Sequence, residues 1–364
     1  MSLHFFALTN AQSIDFPTSE PSFGVEQYQA FIAQHPNTSA YHDPAWLHAV
    51  ANSYGFTPLI VSYQHNHETV AVMPAVLMKN LKQQALLCSL PYCDMGGILA
   101  LTPESKQSML QSLMSYCNQH RWQFEYREAS SLPPDNSSAD TFEDGTKVRM
   151  LYSLLDNPEA QLASFKPKLR SQIKKAAKNG VSTEVVSAPT QEHIDTFYAV
   201  FAKNMRDLGS PVHNKSWFKA ILNAYGQSAF MVLAHANNTC VGGAIVLHTN
   251  THAVIPWAST LREHNKLAPN MGMYWEVISE VIRRGICEFD FGRSGFNEGT
   301  YRFKKQWGAQ ASELIWQNMV NTQLELEATS EKSSSRALVE KTWQKLPLSV
   351  TTAVGPVIRK YISL

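Results

Sequence analysis

The segment Phe289-Asp290-Phe291-Gly292-Arg293-Ser294-Gly295-Phe296-Asn297-Glu298-Gly299-Thr300-Tyr301-Arg302-Phe303-Lys304-Lys305-Gln306-Trp307-Gly308 gathers the residue types most able to do chemistry in this chain of 364 residues. It opens as a strand and reads onward as a loop dense with charge and aromatic rings. Glycines at 292, 295, 299 and 308 mark tight backbone approach. Lys304, set between Phe303 and the nearby Trp307, offers a cation where water is partly excluded, and there its charge would count for more against developing negative charge. On residue type alone, a solvated lysine that holds a loop is the competing reading. Asp290 ends the strand and offers either a proton acceptor or a partner for Arg293. Tyr301 and Arg302 offer substrate contacts, with core packing the alternative for Tyr301. Other chemistries lack their parts. Asp290-Phe291-Gly292 stands without the loops of a kinase, Ser294 lacks a nucleophile elbow, and the thirteen histidines show no metal-binding spacing, so no metal site is expected.

The elements that must position these residues are legible from periodicity and punctuation. Residues 25–55 read as helical, with Asp43 and Pro44 suited to a helix start. Strands are expected at 57–63 and 69–78 around the polar turn His65-Asn66-His67-Glu68, and at 86–90. A helix at 104–120 and an alternating strand at 122–127 follow. Residues 129–146, rich in Ser, Pro, Asp and Gly, read as a linker. The second half repeats the scheme. It has a strand at 149–155, a basic helix at 166–179 stopped by Gly180, and a strand at 181–186. Helices at 191–206 and 214–225 lead to strands at 229–235, 241–248 and 252–258. Helix 270–284 has Tyr274, Val277, Ile278 and Val281 on one face, and strand 286–291 opens the key segment. Mixed helices and strands in each half predict an α+β fold. The expected division is 1–146 for the first domain including the linker, 147–323 for the second, and 324–364 for a polar segment with a helical tail.

Composition bounds the rest. Apolar content of 44%, charged content of 17% and a net charge of +1 describe a globular chain with no overall preference for polyanions, so DNA is not expected as a partner. Five scattered cysteines without a C-x-x-C pair read as buried thiols in a reducing compartment. No apolar run nears the roughly 18–20 residues needed to span a bilayer. The expectation is a cytoplasmic protein with at most peripheral membrane contact. Arg170, Lys174 and Lys178, at i, i+4 and i+8 of the basic helix, form a like-charged stripe opposite Leu169, Ile173 and Ala176. That stripe suits an anionic partner or is a solvated face. Arg206 and His213, flanking the turn Leu208-Gly209-Ser210-Pro211, suit an acceptor pocket. His213 is either a base or a surface histidine, and Asp207 a cap of the turn.

Asp290-Phe291-Gly292-Arg293-Ser294 followed by Gly299-Thr300-Tyr301-Arg302-Phe303-Lys304-Lys305-Gln306-Trp307-Gly308 resembles the FemAB family of peptidoglycan-bridge aminoacyltransferases within the GNAT superfamily. Leu169-Arg170-Ser171-Gln172-Ile173-Lys174-Lys175 resembles the family's basic helix, and Pro91-Tyr92-Cys93-Asp94-Met95-Gly96-Gly97 its N-terminal Gly-Gly loop. Met205-Arg206-Asp207-Leu208-Gly209-Ser210-Pro211-Val212 resembles a branch associated with exopolysaccharide and PEP-CTERM export. The resemblance implies two tandem GNAT-like domains with mixed sheets flanked by helices. It implies acyl or aminoacyl transfer to an amine of a cell-envelope or exopolysaccharide precursor, with acyl-CoA or aminoacyl-tRNA as donor and no permanently bound cofactor. The implied partners are an anionic small molecule, a glycan or peptide precursor, or tRNA. Lys304 would then stabilise the oxyanion, Asp290 and Arg293 would organise the loop, and Arg206, His213, Tyr301, Arg302, Arg170 and Lys174 would meet substrate. The stretch Lys266-Leu267-Ala268-Pro269-Asn270-Met271-Gly272 departs from the usual coenzyme A loop, because Pro269 lacks an N–H and one glycine remains. No long coiled-coil insertion of the kind some bridge-forming members carry is present. An acetyl-CoA-dependent GNAT enzyme and a non-catalytic binding module are the competing readings.

Overall fold

The computed structural model describes residues 2–8, 23–130, 142–320, 322–326 and 334–363. These fall into two compact units. The first holds the described residues up to 130 together with 314–326 and 360–363, and the second holds 142–313 with 334–359. Most of the expected linker, residues 131–141, lies outside the described residues.

The first unit runs β1 (Ser2–Ala7), α1 (Val25–Gln34), α2 (Pro44–Tyr54), β2 (Thr57–His65), β3 (Glu68–Lys79), β4 (Ala85–Cys88), β5 (Leu99–Ala100), α3 (Pro103–Gln119) and β6 (Gln123–Ala129). The helical stretch expected over 25–55 is thus two helices. The second starts where the sequence placed it, with the Asp43 carboxylate accepting the Ala45 N–H at 2.8 Å and Pro44 in the first turn. Asn66 and His67 turn the β2–β3 hairpin at positive φ of 51° and 67°, as two-residue hairpin loops favour. Strands β1 to β4 pair antiparallel in order. After α3 crosses over, β6 pairs parallel to β4 from Leu86↔Gln123 to Cys88↔Glu125. The core beneath joins Phe5, Leu59, Met73, Leu113 and Phe124.

The second unit contains β7 (Lys147–Ser153), α4 (Pro158–Ser164), α5 (Pro167–Lys178), β8 (Val181–Val186), α6 (Gln191–Leu208), α7 (Lys215–Tyr225), β9 (Ala229–Ala236), β10 (Thr239–His248), β11 (His252–Thr260), α8 (Pro269–Arg283), β12 (Glu288–Gly295) and α9 (Gly299–Lys305). β13 (Gln310–Val320), β14 (Gln323–Leu326), α10 (Ser334–Lys345) and α11 (Leu348–Arg359) follow. Strands β8, β9, β10 and β11 form an antiparallel meander, and β11 lies parallel to β12 across α8. β12 then pairs antiparallel with β7. Ala244 and Val246 of β10 join the core that holds α5 and α8, while the preceding Gly243, on the other face, lies against Phe197 of α6. The sheet therefore carries helices on both faces, and the chain is α+β as expected.

Three expectations change. Residues 314–323 were assigned to the second domain, yet β13 pairs with β7 only over 310–313. Its next five residues pair with β6 of the first unit. The charged loop after β12 is in part a helix, α9, with Arg302, Lys304 and Lys305 in its last turn, where cations complement the helix dipole. Cys88, Cys93 and Cys117 are buried thiols, but Cys287 is exposed. No helix among the described residues is long and apolar enough to cross a membrane.

Candidate active site

Strands β11 and β12 are paired for only three residues, His252↔Glu288, Ala253↔Phe289 and Val254↔Asp290. Beyond them β11 runs on along β10 to Thr260 and β12 runs on along β7 to Gly295, without further pairing to each other. β11 shifts register against β10 between Val254 and Trp257, where its pairing with β12 ends, and β12 is irregular there too. Its register against β7 shifts between Asp290 and Arg293, and a bulge of this kind bends and twists the strand. Gly292 sits in the bulge at φ 74°, a conformation that side chains other than glycine's oppose. The Asp290 carboxylate accepts the Gly292 N–H at 2.8 Å and fixes the turn from inside. Arg149, on β7, stands 3.8 Å from the other Asp290 oxygen.

Lys304 reaches the bulge from α9. It is 7% exposed, and its Nζ donates to the carbonyls of Gly292 at 3.0 Å and Arg293 at 2.6 Å. Charge-assisted bonds of this length in a water-poor environment are strong. They hold α9 and the bulge as one piece. Aromatic packing seats the helix. Tyr301 lies against Phe296 at 4.8 Å, Phe303 against Tyr274 at 5.1 Å, and Trp307 against Phe165 at 5.6 Å. The buried Ser294 hydroxyl and Trp307 indole N–H have no hydrogen-bond partner among the described residues.

The structure brings Lys304, Asp290 and Arg293 together; Arg293 is exposed on the bulge. Tyr301 is 2% exposed and packs in the core, with Lys305 Nζ 5.4 Å from its ring centre. Arg302 is exposed. Arg206 is half-buried and held by its neighbour Asp207 through bonds of 3.0 and 2.7 Å, while Gly209 at φ 78° caps the helix. Lys174 is exposed and Arg170 half-buried on α5, whose opposite side buries Leu169, Ile173 and Ala176.

His213 is not a surface histidine. It is 2% exposed, stacked on Trp217 at 5.7 Å, and its Nε2 accepts from Arg359 Nε of α11 at 3.1 Å. Burial first, and the Arg359 charge second, hold it well below the ordinary histidine pKa, so it is neutral. Residue type pointed to exposure because the covering residue lies 146 positions along the chain. Sequence reading also missed Arg149. Its signal was a cation inside the alternating strand Lys147-Val148-Arg149-Met150.

At the start of α8, Ala268 adopts φ 62°, Pro269 opens the helix without an N–H, and the Met271 N–H bonds the Ala268 carbonyl at 3.0 Å. Gly272 packs against Ala176 of α5. This end offers a poor cradle for a pyrophosphate. Among the described residues, no group of three or more His, Cys, Asp or Glu is arranged to hold a metal ion.

The sequence profile of the acetyltransferase (GNAT) domain matches residues 163–305, which run from α4 to the end of α9. No curated protein sequence matches the chain. Among solved structures, the chain is similar to FemX at 14% identity and a TM-score of 0.60, over 80% of this chain and 94% of that one. It is similar to a tandem GNAT protein from the clavulanic acid biosynthesis pathway at 10% identity and a TM-score of 0.53, over 87% and 98%. It is also similar to the C-terminal domain of a putative lysylphosphatidylglycerol synthetase from Agrobacterium fabrum at 10% identity and a TM-score of 0.50, over 87% and 95%. At these identities the likeness is one of fold. The chain has a GNAT acyltransferase fold, and its neighbours include tandem GNAT proteins.

Proposed function

We propose that this chain is a cytoplasmic N-acyltransferase that moves an acyl or aminoacyl group onto an amine of a cell-envelope or exopolysaccharide precursor. The observation that carries the reading is the divergence of β11 from β12 at a bulge clamped by Lys304. Where two parallel strands part, backbone groups that would have paired with each other become available to a ligand. An acyl carbonyl seated there presents its carbon to an incoming amine. The new C–N bond forms, the donor's C–O or C–S bond breaks, and the proton the amine gives up ends on the departing oxygen or sulfur. Lys304 contributes a fixed positive charge next to the developing oxyanion while it holds the bulge. Asp290, tied to Gly292 and Arg149, organises the turn rather than serving as a mobile base. Arg293, Arg302, Arg206, Arg170 and Lys174 supply cations for anionic groups of donor or acceptor.

The resemblance to bridge-forming aminoacyltransferases and the poor pyrophosphate cradle at α8 favour an aminoacyl-tRNA donor. The GNAT profile match supports a second reading, an acyl-CoA donor. Titration calorimetry with coenzyme A separates them: no heat of binding is expected, and tight binding would move the assignment to acyl-CoA. Native mass spectrometry of protein purified gently from its host then identifies a retained donor. With donor and acceptor in hand, unchanged turnover in Lys304→Ala would remove the proposed role of that residue.

A further inference from the structure

Helices α10 and α11 lie across α6, and α11 does so with an inverted pattern. Its buried positions are small, Thr351 and Gly355, and Gly355 lets the backbone sit on Val212. Four of its apolar side chains face outward. Val350, Ala353, Val354 and Val357 recur at i, i+3, i+4 and i+7, and all four are exposed. Val357 keeps 65% of its surface in water, and on α10 Leu338 and Val339 keep 66% and 64%. A helix usually turns such a stripe inward, and a contiguous exposed apolar face marks a contact surface. On α10, Lys341 and Lys345 are exposed, and between 337 and 358 the sole acid is the half-buried Glu340.

We propose that the outward face of α10 and α11 rests on a membrane surface that contains anionic lipid. The aliphatic stripe lies at the boundary of head groups and acyl chains, and the two lysines extend to the lipid phosphates. The chemistry of the face decides for lipid over protein. It offers Val, Ala and Leu with lysine on α10, whereas protein interfaces centre on buried aromatic and arginine anchors and are depleted in lysine. The inference stands apart from the proposed transfer chemistry, because it rests on neither Lys304 nor the strand divergence.

Co-sedimentation of the full chain with vesicles tests it. The protein is expected to bind phosphatidylglycerol/phosphatidylcholine vesicles, to bind pure phosphatidylcholine less, and to lose binding at high salt. Val354→Asp/Val357→Asp is expected to weaken binding about tenfold, with an unchanged circular dichroism spectrum and melting temperature. Lys341→Glu/Lys345→Glu, which leaves the stripe intact, acts in the same direction. Failure of the parent chain to bind anionic vesicles, or equal binding by both variants, overturns the proposal. So does a dimer in sedimentation velocity that Val354→Asp dissociates, since a second copy would then cover the face.

Discussion

Each unit contains one pair of parallel strands joined through a crossover helix, β4 with β6 across α3 and β11 with β12 across α8, and each pair is three residues long. Each places a buried cation that donates to backbone carbonyls near the end of the pairing. In the first unit it is Arg127, 3% exposed, bonded to the carbonyls of Leu90 at 3.2 Å and Ser363 at 2.8 Å and paired with Glu125 at 2.8 Å. Ser89 N–H to the Glu125 carbonyl extends the contact past β4, and Gly97 lies where a Cβ would come within 2.9 Å of the Arg127 carbonyl. The junction is filled by the chain's own residues, including those of its last segment. In the second unit the cation is Lys304, and its carbonyls belong to a bulge that carries the exposed Arg293. A buried cation is therefore no signature of an active site. In the proposed reading, the distinction is that Arg127 satisfies carbonyls of a filled junction, whereas Lys304 satisfies those of a bulge beside parting strands.

The largest test of this contrast is Arg127→Met. It leaves Glu125 without its ion-pair partner in a largely buried setting and is expected to cost about 3–5 kcal/mol in urea unfolding, with most of the loss restored in Arg127→Met/Glu125→Gln. Lys304→Ala should instead act on catalysis, lowering kcat by about 10²–10³-fold, or roughly 2.7–4 kcal/mol of barrier. If the activity of the folded fraction is unchanged and stability alone falls, Lys304 is a second Arg127. Gly292→Ala is expected to cost about 1 kcal/mol through its positive φ, read as a shift of the urea midpoint, and to lower kcat by loosening the bulge. The smallest effect concerns the tail contact of the second unit. His213 is held neutral in the fold by burial and Arg359, so the unfolded chain takes up the proton first as pH falls. Stability should decline below about pH 6.5, and His213→Phe should flatten that slope in thermal melts.

Much of the architecture was legible because local rules and burial agree. The strand expected at 181–186 forms over those residues, Asp43 and Pro44 open α2, and α5 buries the side opposite its basic stripe. α9 was not legible. Gly299 and four charged or polar residues obscure it, and it is stabilised by burying Tyr301 and Lys304 rather than by propensity. Within the site, Asp290 and Gly292 act on one another two residues apart, so their type and spacing carried the message. Arg149 and Arg359 arrive from distant positions, and no local pattern announces them.

The sequence by itself determined the periodicities, the turn positions and the one segment where glycine, aromatic rings and charge coincide, since each of these depends on neighbours within a few residues. Tertiary structure decided what those charges do. Lys304 became a clamp on two carbonyls 12 and 11 residues upstream, His213 a neutral core residue, and Tyr301 a packing residue. The physical reason is that desolvation and hydrogen-bond partners set the role of an ionisable group, and both are supplied by segments far away in the chain.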